Sequence, residues 1–427
     1  MMNNKVELLS PAGNLEKLKI AIAYGADAVY GGVSHFSLRI RSGKEFTFES
    51  FKEGIDYAHS MGKKVYATIN GFPFNSQIEL LKKHIIQMAE VEPDAFIVAA
   101  PGVVRLCREI APHIPIHLST QANVMNYLDA QVYYDMGVRR IIAAREISLK
   151  DVTEIKKHLP DMEIEIFVHG SMCFAYSGRC LVSAVQMGRV PNRGSCANDC
   201  RFEYTLYAAN EDHGTMFRLE EEPGVGTYIF NAKDMNLASH VDEILKSGAV
   251  DSIKIEGRTK SPYYAAVTAY TYRMAIDDFY SNHFEAEKYQ RELATTKNRG
   301  FTDAYLIHRP FERADSQNHE YALSKGTYEV SGLVTEDEEH FYCKYKTYPN
   351  EDIEIFTPLN TKIEEVDNEI GKIYLKDGLY YINFKKITTE TGKELDSVHS
   401  GNTNKIKLPG RLPYLTMFRV EDKMINE

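Results

Sequence analysis

The sequence has no tryptophan, only 15 prolines and six cysteines among 427 residues, and no apolar run long enough to cross a membrane. Its longest apolar run covers residues 95–104, whereas a membrane helix needs about 20 residues. Charged residues make up 26% of the chain, an ordinary share that excludes a mainly disordered, collagenous or coiled-coil protein. The first residues hold no apolar core of a signal peptide. We therefore expect a soluble, cytoplasmic protein of two or three domains with no membrane partner.

The cysteines are unevenly distributed, because four of the six fall within 28 residues. Without a secretory signal, clustered cysteines in a long chain favour metal or redox chemistry over disulfides. The formal net charge of −10 argues against a surface that is basic throughout, although it allows a local basic cleft. The clustered cysteines are Cys173, Cys180, Cys196 and Cys200.

Short β-branched runs alternate with amphipathic helical stretches through roughly the first 280 residues. Eight strand–helix units can be counted, and several strands are nearly continuous apolar runs, as buried parallel strands are. Eight units favour an α/β fold of the (β/α)8 TIM-like barrel type over an open doubly wound sheet. No Gly-x-Gly-x-x-Gly follows a strand, which weakens the dinucleotide-binding alternative.

One connection between a strand and the next unit is much longer than the others. About 80 residues separate Gly170 from Asp251, and they carry all four clustered cysteines. In a barrel, this long connection after strand 7 would lie at the C-terminal rim, where active sites are built. Beyond the barrel and a polar stretch, the pattern changes to period two, which is typical of a small antiparallel β-barrel or sandwich. The predicted units are a barrel at 1–290 with a Cys-bearing insertion at 171–250, a connector at 291–324 and a C-terminal β-domain at 325–427.

The four clustered thiols suit a 4Fe–4S cluster, because thiolates are its usual ligands. A structural zinc would also accept four cysteines, although zinc sites favour close pairs such as Cys196 and Cys200. His169 lies four residues before Cys173, so a Cys/His nucleophile is an alternative, but it leaves three cysteines unexplained. Buried free thiols are the remaining alternative. The two isolated cysteines, which we expect to be structural, are Cys107 and Cys343.

Basic and aromatic residues gather around the same cysteines, and the segment from His169 to Tyr204 has a net charge of +2. In a barrel, loops from several strands would converge on one cationic mouth suited to carboxylates or phosphates, although solvated surface arginines are the alternative. The predicted substrate-binding residues are Arg39, Arg41, Gln121, Tyr176, Arg179, Arg193, Arg258 and Lys260. The aromatic residues that could stack on bases, or pack in the core instead, are Phe174, Tyr176, Phe202, Tyr263 and Tyr264.

Two titratable residues lie at the predicted ends of the last two barrel strands. His169 follows the strand at 164–168, and Glu256 follows the strand at 252–255. Both are candidates for acid–base catalysis or for positioning a substrate, because the C-terminal ends of barrel strands face the active site.

Several motifs resemble those of peptidase family U-32, the collagenase-like proteins. The signature runs EIFVHGSMC at 165–173 and, after four residues, GRCLVS at 178–183. Other similar blocks are LLSPAGN at 8–14, FSLRIR at 36–41, NRGSC at 192–196, KIEGRTK at 254–260 and NRGFT at 298–302. The resemblance covers essentially the whole chain.

Within that family the chain is most similar to the prephenate-dependent tRNA uridine hydroxylases. The resemblance implies hydroxylation of the wobble uridine of tRNA to 5-hydroxyuridine, with prephenate as co-substrate. It also implies a 4Fe–4S cluster on Cys173, Cys180, Cys196 and Cys200. Some relatives take a ligand near 234–236, where this chain has no cysteine, which favours Cys200 as the fourth ligand.

The resemblance leaves two rival functions open. One is a collagenase-like peptidase with a cysteine nucleophile, and the other is a non-catalytic RNA-binding or assembly factor. If prephenate is the co-substrate, we expect Arg179, Arg193 or Arg258 to hold its carboxylates by bidentate hydrogen bonds.

Overall fold

The computed structural model describes residues 5–33, 36–38, 45–210, 214–218, 230–308, 316–318 and 324–422. Arg39 and Arg41, two of the predicted substrate-binding residues, lie outside the described residues.

Eight parallel strands form a closed barrel, which confirms the predicted α/β fold class. Each strand pairs with its neighbour in chain order, and the eighth strand pairs with both the first and the seventh. Buried Ser252, for example, lies opposite Glu7 on one side and Glu165 on the other. The barrel strands are Glu7–Pro11, Ala28–Gly31, Lys64–Ile69, Ala95–Val98, Ile116–Leu118, Arg140–Ile142, Glu163–Ser171 and Ser252–Ile255.

A helix follows each barrel strand and covers it from outside, as amphipathic sequence predicts. In the helix Phe48–Ser60, a capping box joins Thr47 and Ser50, and Phe51, Ile55 and Ala58 form one buried stripe. The eight helices of the ring are Leu15–Ala23, Phe48–Ser60, Ile78–Glu90, Pro101–Ile110, Tyr127–Asp135, Leu149–His158, Val241–Lys246 and Pro262–Tyr280. Among the described residues, no helix has the length and apolar character needed to cross a membrane.

The long insertion follows the seventh barrel strand, as predicted. It contains the short helix Val182–Met187, two 3-10 turns at Pro191–Arg193 and Asp199–Arg201, and a hairpin of Tyr207–Asn210 with Thr215–Arg218. The chain then returns as Asp234–Asn236, which pairs antiparallel with His169, Gly170 and Ser171. Phe301–Thr302 adds a further strand beside this segment. The insertion therefore begins and ends against the extended seventh strand.

The C-terminal region is an eight-stranded antiparallel sheet curved into a half-barrel, so the predicted antiparallel β-structure is confirmed. Its core includes Phe341, Phe384 and Phe418, whose ring centroids lie 5.0–5.4 Å apart where they meet. In sheet order the strands are Val366–Asp367, Gly371–Lys376, Leu379–Phe384, Asp352–Phe356, Met417–Glu421, Tyr328–Val334, His340–Cys343 and Ile406–Lys407. A two-stranded ribbon, Ile387–Thr388 with Glu394–Leu395, accompanies this sheet.

The half-barrel packs on the outside of the TIM-like barrel. The hydroxyl of buried Tyr24 donates to the carbonyl oxygens of Phe356 (2.8 Å) and Leu415 (3.0 Å) across this contact. The helix Ala286–Ala294 packs on the barrel, where Tyr289 and Leu293 are buried in its core. The predicted domain boundaries stay predictions.

Candidate functional site

A cavity of about 360 Å³ opens at the C-terminal mouth of the barrel. Its floor is formed by side chains near the ends of barrel strands, including Tyr30, Ile97 and Phe167. Its wall is formed by the insertion. The four clustered cysteines all line this cavity, and they are Cys173, Cys180, Cys196 and Cys200.

The thiols of these four cysteines are close enough to influence one another. Burial raises the pKa of Cys180, and the neighbouring thiols of Cys173 and Cys196 raise it further. Burial likewise raises the pKa of Cys200; nearby Arg201 opposes this increase, whereas the other three thiols add to it. Cys173 is exposed, and the other three are partly buried.

Backbone conformation and hydrogen bonds hold the cysteine-bearing loop against the barrel. Gly178 has φ +73°, and a Cβ atom there would lie 2.3 Å from the carbonyl oxygen of Gln121. Only glycine allows this close approach without strain. The carboxylate of Glu146 accepts hydrogen bonds from the backbone N–H (2.7 Å) and hydroxyl (3.0 Å) of Ser177. Asn192 donates to the carbonyl oxygen of Gly178 at 2.8 Å.

Three cations line the cavity from below: Arg145, Lys254 and Arg258. Arg145 donates to Glu256 at 3.1 Å. Arg258 donates to Ser37 (2.7 Å), to Thr68 (3.0 Å) and to the carbonyl oxygen of Leu38. The cations are therefore held by hydrogen bonds within the barrel mouth.

Lys254 belongs to a buried network of alternating charges inside the barrel. Its Nζ lies 2.7 Å from Glu165, whose side chain is fully buried. Glu165 in turn lies 3.4 Å from Arg140, which also pairs with Glu7 and, at 2.8 Å, with Glu163. Burial lowers the pKa of Lys254, an effect opposed by Glu165. A buried charge needs such partners, so this network fixes where the ammonium lies.

The two predicted acid–base residues occupy different environments. Glu256 lines the cavity, whereas His169 does not. The His169 ring is 2% exposed and packs near Tyr272, with 3.4 Å between Nδ1 and the tyrosine hydroxyl. Burial lowers the pKa of His169 to about 3, so its imidazole is neutral at physiological pH. A catalytic role for either residue stays a prediction.

The structure brings some predicted substrate-binding residues together and separates others. Gln121, Tyr176 and Arg258 line the cavity. Arg193 lies in an adjacent depression, where its guanidinium stacks 4.0 Å from the ring centroid of Phe74. Two more residues do not line the mouth cavity: Arg179, which is exposed, and Lys260, which lines two neighbouring cavities.

Three of the charged cavity residues, Arg145, Glu146 and Lys254, are not among the predicted substrate-binding or acid–base residues. A signal for the first two was available, because a charged pair directly follows the apolar sixth strand. Lys254 lies in the eighth strand, and its ammonium is held by pairing with Glu165 on the neighbouring seventh strand.

The proposed aromatic residues also divide into two groups. Tyr263 and Tyr264 are buried in the helix Pro262–Tyr280, so the hypothesis that they stack on bases is wrong and core packing is correct. Phe174 and Phe202 are each 49% exposed. In the described part of the chain, nine of 20 exposed large hydrophobic side chains lie in the insertion. The nine are Phe174, Tyr176, Leu181, Val185, Met187, Phe202, Leu206, Tyr207 and Met216.

With this geometry established, comparison with known proteins identifies the family. Residues 13–316 match the family model of Peptidase family U32. The chain belongs to this family. The U32 match covers the barrel from the helix after its first strand onwards, the insertion and the four clustered cysteines.

Proteins similar to this U32 chain carry the names of tRNA hydroxylation proteins and of a collagenase. Over 418 residues it is 64% identical to tRNA hydroxylation protein P of Helicobacter pylori, covering 98% of this chain and 99% of the relative. It is 39% identical over 413 residues to tRNA hydroxylation protein P of Escherichia coli, covering 86% and 90% of the two chains. It is also similar to a collagenase of Porphyromonas gingivalis, with 28% identity over 387 residues and coverage of 88% and 86%.

Two of the U32-like sequence blocks contain residues that make buried contacts with other elements of this chain. Arg299, in the block at 298–302, is buried and forms an ion pair with buried Asp234. His169, in the signature block, contacts Tyr264, Tyr272 and Phe301 with its ring. These contacts anchor the strands at the start and end of the insertion.

Proposed function

We propose that this U32 protein is a tRNA-modifying enzyme that hydroxylates the wobble uridine to 5-hydroxyuridine and depends on prephenate. The observation that carries the proposal is the convergence of four thiols and four cations, three from the barrel and Arg201 from the insertion, on one cavity at the barrel mouth. The 64% identity to a tRNA hydroxylation protein supports the same conclusion. The proposed site of action is the cytoplasm.

The cysteines fit an iron–sulfur cluster by the chemistry of their donor atoms. Four thiols line one cavity, and Cys180 and Cys200 each interact electrostatically with the other cysteines. Among the described residues, no three His, Cys, Asp or Glu side chains converge on a point that could hold a single metal ion. A 4Fe–4S cluster instead takes one thiolate on each of four irons. When bound, such a cluster would supply one-electron redox chemistry at the mouth.

The rim of the cavity suits an unpaired RNA loop. Exposed Phe174, Tyr176 and Phe202 project from the insertion, and aromatic side chains of this kind stack on bases. Arg201 lines the cavity beside them and supplies positive charge for phosphates. In this proposal the target uridine enters the cavity while neighbouring bases contact the rim. Glu256 and Gln121 line the same cavity, where they can orient the base or move a proton.

The activity is tested by mass spectrometry of tRNA nucleosides from a deletion strain complemented with variants. We expect 5-hydroxyuridine and its derivatives to disappear on deletion and to return with the wild type. They should also return with the control Cys107→Ala, because Cys107 is buried in the barrel core far along the chain from the insertion. Cys180→Ala should not restore them, and it should bind less iron than the wild type after anaerobic purification.

Other outcomes would favour the rival functions. Unchanged nucleosides in the deletion strain would contradict the hydroxylase. Cleavage of gelatin by iron-free protein, abolished by Cys173→Ala, would support the peptidase. Binding of tRNA with no modification under any condition would support the non-catalytic RNA-binding or assembly factor.

A further inference from the structure

The cationic floor of the mouth cavity has the features of a built anion-binding site. Arg145 follows the sixth barrel strand, Lys254 lies in the eighth strand, and Arg258 follows it. All three side chains line the same cavity of about 360 Å³. Arg145 and Lys254 are more than 100 residues apart in sequence and meet at the mouth because the sixth, seventh and eighth strands pair side by side.

The cations are fixed before any ligand arrives. The guanidinium carbon of Arg145 lies 3.9 Å from the ring centroid of Phe167, and the Nζ of Lys254 lies 4.2 Å from that of Tyr30. The side chain of Arg145 is 11% exposed and that of Lys254 is 4% exposed. Because these charged groups are already desolvated and oriented, an anion that binds them loses little to reorganisation.

Arg145 and Lys254 also carry more N–H donors than they use in hydrogen bonds within the described part of the chain. Each side chain makes one hydrogen bond there, Arg145 to Glu256 and Lys254 to Glu165. A guanidinium carries five N–H donors and an ammonium carries three. The remaining donors can therefore serve a ligand. Glu146, the other carboxylate lining the cavity, is bonded to Ser177.

The walls of the cavity indicate the body of the ligand. Tyr30 and Phe167 place aromatic surface beside the cations, and Ile97 and Ile142 add aliphatic surface. The cavity volume is within the range of small-molecule sites. A ligand with an apolar or unsaturated ring and two carboxylates matches these walls and charges.

We propose that Arg145, Lys254 and Arg258 form the subsite for the carboxylates of a small cyclic dicarboxylate, the co-substrate of the reaction. This inference rests on the proposed function and identifies the residues that would bind the co-substrate. It replaces Arg179 and Arg193, which do not line the cavity, while keeping Arg258.

The test is calorimetric titration of anaerobically purified, full-length protein with prephenate. We expect Arg145→Gln and Lys254→Met each to weaken binding by about 10- to 100-fold, because each removes a charge-assisted hydrogen bond. Lys254→Met removes the nearer of the two cations that pair with buried Glu165, so Lys254→Met/Glu165→Gln is measured as well, with circular dichroism to verify folding. The matched control is Arg105→Gln, on the exposed face of an outer helix, which should bind like the wild type.

Two results would overturn the subsite. One is wild-type prephenate affinity in folded Arg145→Gln and in the folded double variant. The other is inorganic phosphate, or an RNA stem-loop, displacing prephenate at an affinity equal to or above its own, which would assign the cations to RNA phosphates. Failure of the proposed function has a different signature, because prephenate would still bind in the wild type while tRNA from the deletion strain kept its 5-hydroxyuridine.

Discussion

His169 illustrates how burial decides the chemistry of a single residue. The sequence places it at a strand end, four residues before Cys173, where an acid–base role is a reasonable expectation. In the fold its backbone pairs with the strand Asp234–Asn236, and its ring packs against aromatic neighbours rather than in the cavity. Burial lowers its pKa to about 3, with a smaller contribution from Lys260 in the same direction and an opposing one from Asp234.

A neutral buried histidine makes stability depend on pH in a defined direction. The unfolded state takes up a proton below the ordinary histidine pKa of about 6.5, whereas the folded state does not until about pH 3. The contribution of His169 is therefore fully present above pH 6.5 and is lost as the pH falls, by about 1.4 kcal/mol per unit. When the pH falls from 7 to 5, the free energy of unfolding measured in urea should decrease by about 2 kcal/mol less in His169→Gln than in the wild type.

Exposed His283 provides the control for this measurement. His283→Gln should show the pH dependence of the wild type. An identical pH dependence in the wild type and in His169→Gln would contradict a neutral, buried imidazole at position 169.

At the scale of elements, the insertion combines a tightly held loop with an apolar surface. Ser177 and Gly178 are held against the barrel, and Cys180 follows two residues later. Farther along, the helix Val182–Met187 leaves Val185 81% exposed. One part of the insertion is thus held against the barrel close to the thiols, while another part leaves apolar side chains exposed.

Two glycines in this insertion allow us to test whether the loop positions the cysteines, because alanine would strain the backbone to a similar degree at both. Gly178 and Gly188 have φ angles of +73° and +67°, but a Cβ at Gly188 would meet nothing within 4 Å. Alanine at either position costs about 1–2 kcal/mol for the left-handed conformation. Only Gly178→Ala should also reduce iron bound per chain, because it must move the loop away from the carbonyl of Gln121. Equal iron content in the two variants would show that this close approach does not position the cysteines.

At the scale of the whole molecule, one buried arginine links the half-barrel to the TIM-like barrel. Arg419 donates to Glu354 at 2.9 Å within its own sheet. It also donates to Tyr263 at 3.2 Å and pairs with Glu292, both of which belong to the barrel's helices. Its side chain is 6% exposed. Removing it would leave a buried carboxylate without a partner.

Arg419→Met should therefore lower the free energy of unfolding by about 3–5 kcal/mol, measured by chemical unfolding monitored through tyrosine fluorescence. The control Arg411→Met removes an exposed arginine whose side chain is 68% exposed and 3.5 Å from Glu338. Such a surface pair contributes about 0–1 kcal/mol. If both variants lost the same small amount, the buried ion network would not stabilise the contact between the two units.

Local pattern alone determined the strand–helix alternation of this protein. The run Ser252–Ile255 agrees with the predicted strand to the residue, because apolar continuity and turn residues act over short distances. The period-two pattern likewise predicted five strands of the C-terminal sheet. It missed the inner strand Met417–Glu421 and short strands such as Ile406–Lys407, which exists through pairing with His340–Cys343.

Only the tertiary structure decided which side chains meet at the mouth. Arg145 lines the cavity and Arg193 does not, although both follow recognisable elements, because the direction of a side chain depends on barrel closure. The same closure buries His169 and Tyr264 and leaves Phe174 exposed. Motif spacing brings the four cysteines near one another along the chain, whereas the cationic floor beneath them comes from strands more than 100 residues apart in sequence. Contacts at that separation are fixed by packing and by paired buried charges, which no local pattern records.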